Sequence, residues 1–257
     1  MILYFICCLA AILASGLTFF SGFGLGTILT PIFALFFPIE IAIASTAIVH
    51  FTNNIFKFAI THKNIDNSLL ISFGLPSFFA ALVGALLLNT LVGFEAFYSY
   101  TLFKKVIEIT PLKLGIGLVI IFFTWFENIK KNTTEASKKN MFFGGLLSGF
   151  CGGLSGNQGA LRSMFLNSLK LNKETFIATG IAIACLTDVA RLSIYIKNID
   201  VAKNNIDFPL VTTVTIFAIA GACFGNKLLQ KTTLKMLNKI VMLMLFAIGF
   251  AMCVGLV

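Results

Sequence analysis

The sequence has few charged residues for its length. Only 11% of its 257 residues are Asp, Glu, Lys or Arg, whereas a typical soluble domain carries about 25%. Hydrophobic residues make up 58% of the chain. A soluble fold so poor in charge could not cover its own surface. We therefore predict an integral membrane protein and exclude a disordered chain, a secreted disulfide scaffold and a nucleic-acid-binding protein.

The sequence also lacks the residues of a metal site or a disulfide framework. It has only two histidines, and its six cysteines lie inside apolar runs without a CxxC pair. Cysteines in such runs usually act as small hydrophobic side chains. The motifs HExxH, GxSxG and DxD are absent, which argues against an intramembrane enzyme. We expect no metal and no cofactor.

Acidic residues are scarce as well, with 10 Asp and Glu against 19 Lys and Arg. Most of the cations occupy short segments between apolar runs, such as Lys104-Lys105, Lys130-Lys131 and Lys138-Lys139. This placement is typical of helix ends anchored by anionic headgroups, so we expect membrane lipid, and no nucleic acid, as the partner of this charge. Lysines are nearly balanced between the two sides of the predicted topology, which leaves the orientation open.

The apolar residues form eight segments, most of them long enough for a helix across the bilayer, which needs about 20 apolar residues. The segments are 1–37, 39–61, 67–92, 110–126, 141–169, 174–196, 207–229 and 236–257. Because the bilayer does not solvate bare backbone, they must be helices or a closed barrel, and the absence of strict alternation favours helices. The first segment has no basic region before it, so we interpret it as a span rather than a cleaved signal peptide.

Glycines interrupt the first and fifth segments. They are Gly22, Gly24 and Gly26 in the first and Gly156 and Gly159 in the fifth. Such glycines often serve close helix packing. A break in a membrane helix, however, is tolerated where it is buried or lines a cavity. Because the interruption occurs in both segments, we predict a glycine-broken helix in each.

The two halves of the chain resemble each other. Lys63-Asn64-Ile65-Asp66 recurs as Lys197-Asn198-Ile199-Asp200, and the stretch around Asn53 aligns with that around Thr187 at a nearly constant offset. We therefore predict an all-α polytopic membrane protein with about eight transmembrane helices in two repeats of four, with a glycine-broken first helix in each repeat. The repeats are 1–126 and 141–257, joined by a hydrophilic linker, 127–140. Broken helices at corresponding positions of two halves point to a transporter binding site.

Polar residues inside the predicted spans are candidates for substrate binding, since ionisable groups there cost several kcal/mol and generally face a cavity or a partner. They are His50, Asn53, Asn54, Lys57, Asn157, Gln158, Arg162, Asp188 and Arg191. The three cations exceed the single acid, which favours an anionic ligand.

These residues also have ordinary explanations. Lys57 and Arg191 could extend to the headgroups, since each lies about one turn from the end of its segment. Asp188 could neutralise either of them, and His50 could be a hydrogen-bonded packing residue. Arg162 lies nearer the middle of its segment.

The run from Ser21 to Pro31, followed by Ala44-Ser45-Thr46-Ala47, resembles the first signature of the sulfite exporter TauE/SafE family, and 147–159 resembles the second. The likeness covers nearly the whole chain. It implies a multi-pass transporter of small, often sulfur-containing anions, such as sulfite, sulfoacetate or thiosulfate, in a bacterial inner membrane. It also implies proton coupling or a gradient-driven export. Separately from the resemblance, the sequence is compatible with a homo-oligomer. Asn157 and Gln158 stand where many members have glycines, so the substrate is not assumed to be sulfite.

Three hypotheses follow for the function. The first is a secondary transporter that binds a small anion between the repeats near the midplane, which predicts that Lys57, Arg162 and Arg191 converge on one pocket. The second is an anion channel or an accessory membrane subunit. The third and least favoured is an intramembrane enzyme, for which His50 and Asp188 would form an acid–base pair.

Overall fold

The computed structural model describes residues 1–21, 24–102, 105–129, 138–169, 171–197, 206–228 and 234–256, and these are mostly helical. The helices are α1 (Ile2–Ser21), α2 (Gly26–Ala34), α3 (Ile39–Thr61), α4 (Asn67–Leu69), α5 (Leu75–Leu91), α6 (Pro111–Ile129), α7 (Lys138–Ser155), α8 (Gly159–Asn167), α9 (Lys173–Lys197), α10 (Phe208–Leu228) and α11 (Leu234–Cys253). A 3-10 turn at His62–Asn64 follows α3, and a π-helical turn at Leu70–Gly74 joins α4 to α5.

Each of the eight apolar segments coincides largely with at least one of these helices. Among the described residues, four helical stretches are long and apolar enough to cross a membrane: Ile2–Phe19, Ile39–Asn64, Asn67–Leu91 and Lys173–Ile196. Two shorter apolar helices are Pro111–Phe122 and Phe208–Phe224. These helices are those of a multi-pass membrane protein. The full set of eight crossings stays a prediction.

The first and fifth segments are each broken into two helices by glycine. Helix α1 ends at Ser21 before α2 begins at Gly26, and α7 ends at Ser155 before α8 begins at Gly159. Between the helices, Gly24 and Gly156 have φ angles of 84° and 80°, in the left-handed region that side chains other than glycine rarely adopt. The structure therefore contains the two breaks predicted from the sequence, although Gly22 lies outside the described residues.

The chain is not helical throughout. Tyr98–Leu102 (β1) and Lys105–Ile109 (β2) form an antiparallel hairpin between α5 and α6, so the prediction of an all-α fold is wrong for this stretch. Its short runs of aromatic and β-branched residues suit strands. The Tyr100 hydroxyl donates to the backbone oxygen of Val254 at 2.7 Å, which ties the hairpin to the end of α11.

The main helix partners come from opposite halves of the chain. Helix α1 packs against α10, α5 against α7, α3 against α9, and α6 against α11. The two halves therefore share one interior instead of forming separate four-helix bundles. A continuous cluster of buried apolar side chains draws on helices of both halves, from Cys7 in α1 to Met252 in α11.

Helices α5 and α7 approach each other closely along a row of glycines. Gly145, Gly149 and Gly153 recur at every fourth residue, so they lie on one face of α7. A Cβ at these positions would lie 2.0 to 2.3 Å from backbone oxygens across the interface, those of Phe73, Ser77 and Ala81. Small residues at such positions allow the helix backbones to pack directly, as is common in membranes.

We predict that Gly149→Ala lowers the free energy of unfolding by about 1–3 kcal/mol, since its methyl group would overlap the Ser77 oxygen and force the helices apart. The measurement is thermal unfolding of the purified protein in detergent. Gly115→Ala in α6 is the matched control, because a Cβ there has no neighbour within 4 Å. Equal melting temperatures for the two variants would contradict the role given to this interface.

Candidate functional site

The two helix breaks meet in the interior of the protein. A Cβ on Gly26 would lie 3.2 Å from the backbone oxygen of Gly156, and one on Gly24 would lie 3.8 Å from the Cα of Gly159. The backbone of the first break and the backbone of the second break are therefore in contact, with no side chain between them. Helices α3 and α9, which pack against each other beside the breaks, supply most of the polar side chains of the site.

The centre of the site is the buried carboxylate of Asp188. Its Oδ2 lies 2.6 Å from His50 Nδ1 and accepts a hydrogen bond from Asn54 Nδ2 at 3.3 Å. Its Oδ1 accepts from Gln158 Nε2 at 3.3 Å and from Arg191 Nε at 3.0 Å, with Arg191 Nη2 at 2.7 Å. Of the two pairings considered for Asp188, the structure thus has the one with Arg191, three residues along α9.

Lys57 and Arg191 do not extend to the headgroups. The side chain of Lys57 is buried, with its Nζ 3.5 Å from the backbone oxygen of Ser15 and 5.2 Å from the centre of the Phe19 ring. Arg191 is fully buried beside Asp188. The alternative that these two cations reach the membrane surface is therefore wrong for this structure.

A pocket lies between the end of α1, the first break and helices α3, α8 and α9. The cavity within it is small, with a volume of about 30 Å³. It is lined by Thr18, Phe19, Gly24, Leu25, His50, Asn54, Lys57, Arg162, Ser163, Leu166, Phe176, Ile177, Gly180 and Ile181. Six of these side chains are apolar and six are polar or charged, and the polar groups converge from α1, α3 and α8. Polar groups that converge in a partly apolar pocket are typical of small-molecule sites.

The predicted site residues fall into three groups in the structure. The first group lines the pocket: Gly24, His50, Asn54, Lys57 and Arg162. The second group consists of Asp188, which contacts His50 on the side away from the pocket, and of its partners Gln158 and Arg191. Asn53 and Asn157 are buried but do not line the pocket. Asn53 Oδ1 instead accepts a hydrogen bond from Ser15 Oγ at 3.2 Å. Two of the three cations expected to converge, Lys57 and Arg162, therefore line one pocket, and Arg191 does not.

The sequence did not single out several side chains of the pocket. Phe19 stands next to the Lys57 ammonium, but one phenylalanine among the 29 of this chain carries no distinguishing signal. Ser163 follows Arg162 directly on α8. Ile177, Gly180 and Ile181 have the three- and four-residue spacing of one helix face, which is the signal that could have found them.

The electrostatics of the site favour an anion. Among the buried side chains that the structure describes, Lys57, Arg162 and Arg191 are the basic residues and Asp188 is the one acidic residue. Such an excess of buried cations is costly without a counter-ion. No three His, Cys, Asp or Glu side chains come together in the described ranges, so these residues offer no metal centre.

We predict that Asp188→Asn costs about 3–5 kcal/mol of stability, because it leaves Arg191 buried without a counter-charge. The measurement is thermal unfolding in detergent. The double variant Asp188→Asn with Arg191→Met should recover part of the loss, since it removes both charges. A single variant as stable as the unmodified protein would contradict the importance of the pair.

Comparison with known families identifies the chain. The model of the family described as Sulfite exporter TauE/SafE matches residues 7–252. No curated protein and no solved structure matches the chain. Because the family match runs from the first helix to the last and includes every residue of the pocket, the chain belongs to the sulfite exporter TauE/SafE family.

Proposed function

We propose that this protein is a secondary transporter of a small anion of the sulfur oxyanion or organosulfur class, such as sulfite, thiosulfate or a sulfonate. Membership of an exporter family supports membrane transport. The observation that carries the anion site is the presence of two buried cations, Lys57 and Arg162, on the walls of one pocket. The substrate binds there, between the two halves of the chain and near the membrane midplane.

The chemistry of these cations suits an oxyanion. The planar guanidinium of Arg162 can donate two parallel hydrogen bonds to two oxygens of a sulfonate or sulfite group. From α3, Lys57 adds a compact positive charge to the pocket, and Asn54 adds amide hydrogens that can be donated to the anion. Arg191 is less suited to direct contact with the anion, because its guanidinium is held by the carboxylate of Asp188.

The helix partners support the division into repeats, 1–126 and 141–257, with 127–140 as the linker. The broken first helix of each half packs against the helix of the third apolar segment in the other half, α1 against α10 and α7 against α5. The second segments pair with each other as α3 and α9, and the fourth as α6 and α11. A two-fold relation between repeats would produce this pattern of partners.

Transport then consists of exposing the pocket to each side of the membrane in turn. The two breaks touch at the boundary between the halves, and the pocket lies beside them. A rearrangement of the helices beside the breaks would open one face of the pocket and close the opposite one. We place the protein in a bacterial inner membrane, where lipid headgroups and a small anion are its partners, and where it can also assemble as a homo-oligomer.

We predict that a binding anion raises the melting temperature of the purified protein in detergent. The panel is sulfite, thiosulfate, sulfoacetate, taurine, sulfate, phosphate and short carboxylates. An anion at a hundred times its Kd stabilises the folded state by about 2.7 kcal/mol. Lys57→Ala and Arg162→Gln should each weaken the binding by about 10- to 150-fold, since a hydrogen bond to a charged group contributes about 1.5–3 kcal/mol.

Lys63→Ala is the matched control, because Lys63 is an exposed cation just beyond the end of α3. It should bind the anion as the unmodified protein does. Stabilisation that persists in both pocket variants would show that the anion binds elsewhere, and no stabilisation by any anion of the panel would overturn the proposed substrate class. Flux into liposomes that saturates with anion concentration separates a carrier from a channel.

A further inference from the structure

His50 stands between the pocket and the carboxylate of Asp188. It lines the pocket, yet only 2% of its side chain is exposed. Its Nδ1 lies 2.6 Å from Oδ2 of Asp188, so this nitrogen carries a hydrogen and donates it to the carboxylate. The other ring nitrogen, Nε2, lies toward the first helix break, 3.3 Å from where a Cβ of Gly24 would stand. Nε2 is therefore the atom whose protonation changes the charge of the ring.

The groups around the imidazole make its charge depend on the contents of the pocket. Asp188 and Arg191 approach it from α9, Arg162 from α8, and Lys57 lies two turns further along α3. Three cations oppose a further positive charge, and one carboxylate favours it. An anion beside Lys57 and Arg162 would offset this repulsion, so an occupied pocket favours a proton on Nε2 more than an empty pocket does.

The polar neighbours of the ring fit this role. Asn54 Nδ2 lies 3.1 Å from Nδ1 and 3.4 Å from Nε2, and it also donates to Asp188 Oδ2 at 3.3 Å. Asp188 is in turn held by Gln158 and Arg191 on its other oxygen. Hydrogen bonds from Asn54, Gln158 and Arg191 thus fix the carboxylate that orients the imidazole. A proton on Nε2 displaces only the 3.4 Å approach of Asn54 to that nitrogen and leaves these hydrogen bonds to Asp188 in place.

We infer that Nε2 of His50 is a proton-binding site through which the protein couples the proton to the anion. The lone pair of Nε2 takes a proton from water in the pocket when the anion enters, and the resulting N–H is a donor beside the anion. When the anion leaves, the proton returns to water on the same side. Because linkage is reciprocal, the proton tightens anion binding by the same factor by which the anion tightens proton binding. This inference rests on the proposed function.

The test measures the Kd of thiosulfate and methanesulfonate by calorimetry between about pH 5 and pH 8, the range in which histidine changes charge. Both are anions of strong acids whose own charge stays constant in this range. The Kd should fall as the pH falls, approaching a tenfold change per pH unit, which corresponds to about one proton taken up with each anion. Repeating the titration in two buffers of different ionisation enthalpy counts that proton directly.

The chain offers a matched pair of variants, since its two histidines lie in different places. His50→Asn keeps an amide donor for Asp188 but has no group that titrates, and should bind anion with a Kd independent of pH. His50→Gln serves the same purpose if the first variant does not fold. His62→Gln is the control, because His62 is exposed in the 3-10 turn after α3, and it should keep the pH dependence of the unmodified protein.

The outcomes separate the inference from the proposed function. Anion binding that is independent of pH in the unmodified protein, or pH dependence that survives in both His50 variants, overturns the proton site and leaves the anion pocket standing. Failure of both anions to bind at every pH overturns the pocket as proposed, and the proton site with it. Loss of the pH dependence in the His50 variants alone is the expected result.

Discussion

The carboxylate of Asp188 is the one negative charge among the buried side chains described, and the arrangement of the site depends on it. It accepts hydrogen bonds from α3, from the connection between α7 and α8, and from its own helix. Through these contacts it neutralises Arg191 and orients His50. Because the charge of Arg191 is neutralised in this way, Lys57 and Arg162 remain as the cations on the pocket wall. Of the three buried cations, Arg191 is therefore bound to Asp188, whereas Lys57 and Arg162 face the pocket.

Glycine makes this arrangement sterically possible. At the two breaks it allows left-handed backbone and lets the chain segments touch, so that polar side chains of α3 and α9 can gather beside them. Along α7 it removes the side chains that would separate this helix from α5. A membrane offers little hydrophobic drive between helices, so close packing of this kind and buried polar contacts hold the halves together.

The sequence predicts most of the helical framework and part of the site, for reasons that can be named. Apolar length and glycine position are local properties, so the helices and their breaks could be located before the structure was known. The hairpin at 98–109 was missed because a short two-stranded element gives only a weak pattern. Helical spacing placed Asn53 and Lys57 on one polar face, but it could not show that Asn53 is held by Ser15 while Lys57 reaches the pocket. The partner of Lys57, Phe19, comes from another helix, and no local pattern indicates such a contact.

The exchange of helix partners between the halves bears on how the protein is made. Helix α1 leaves the ribosome well before its principal neighbour, α10, which begins at Phe208. Asp188, the hydrogen-bond partner of His50, is likewise synthesised long after it. The early helices therefore enter the bilayer before these partners exist, since membrane helices insert before they associate. The packing of the first half is therefore completed only after helices of the second half have entered the membrane.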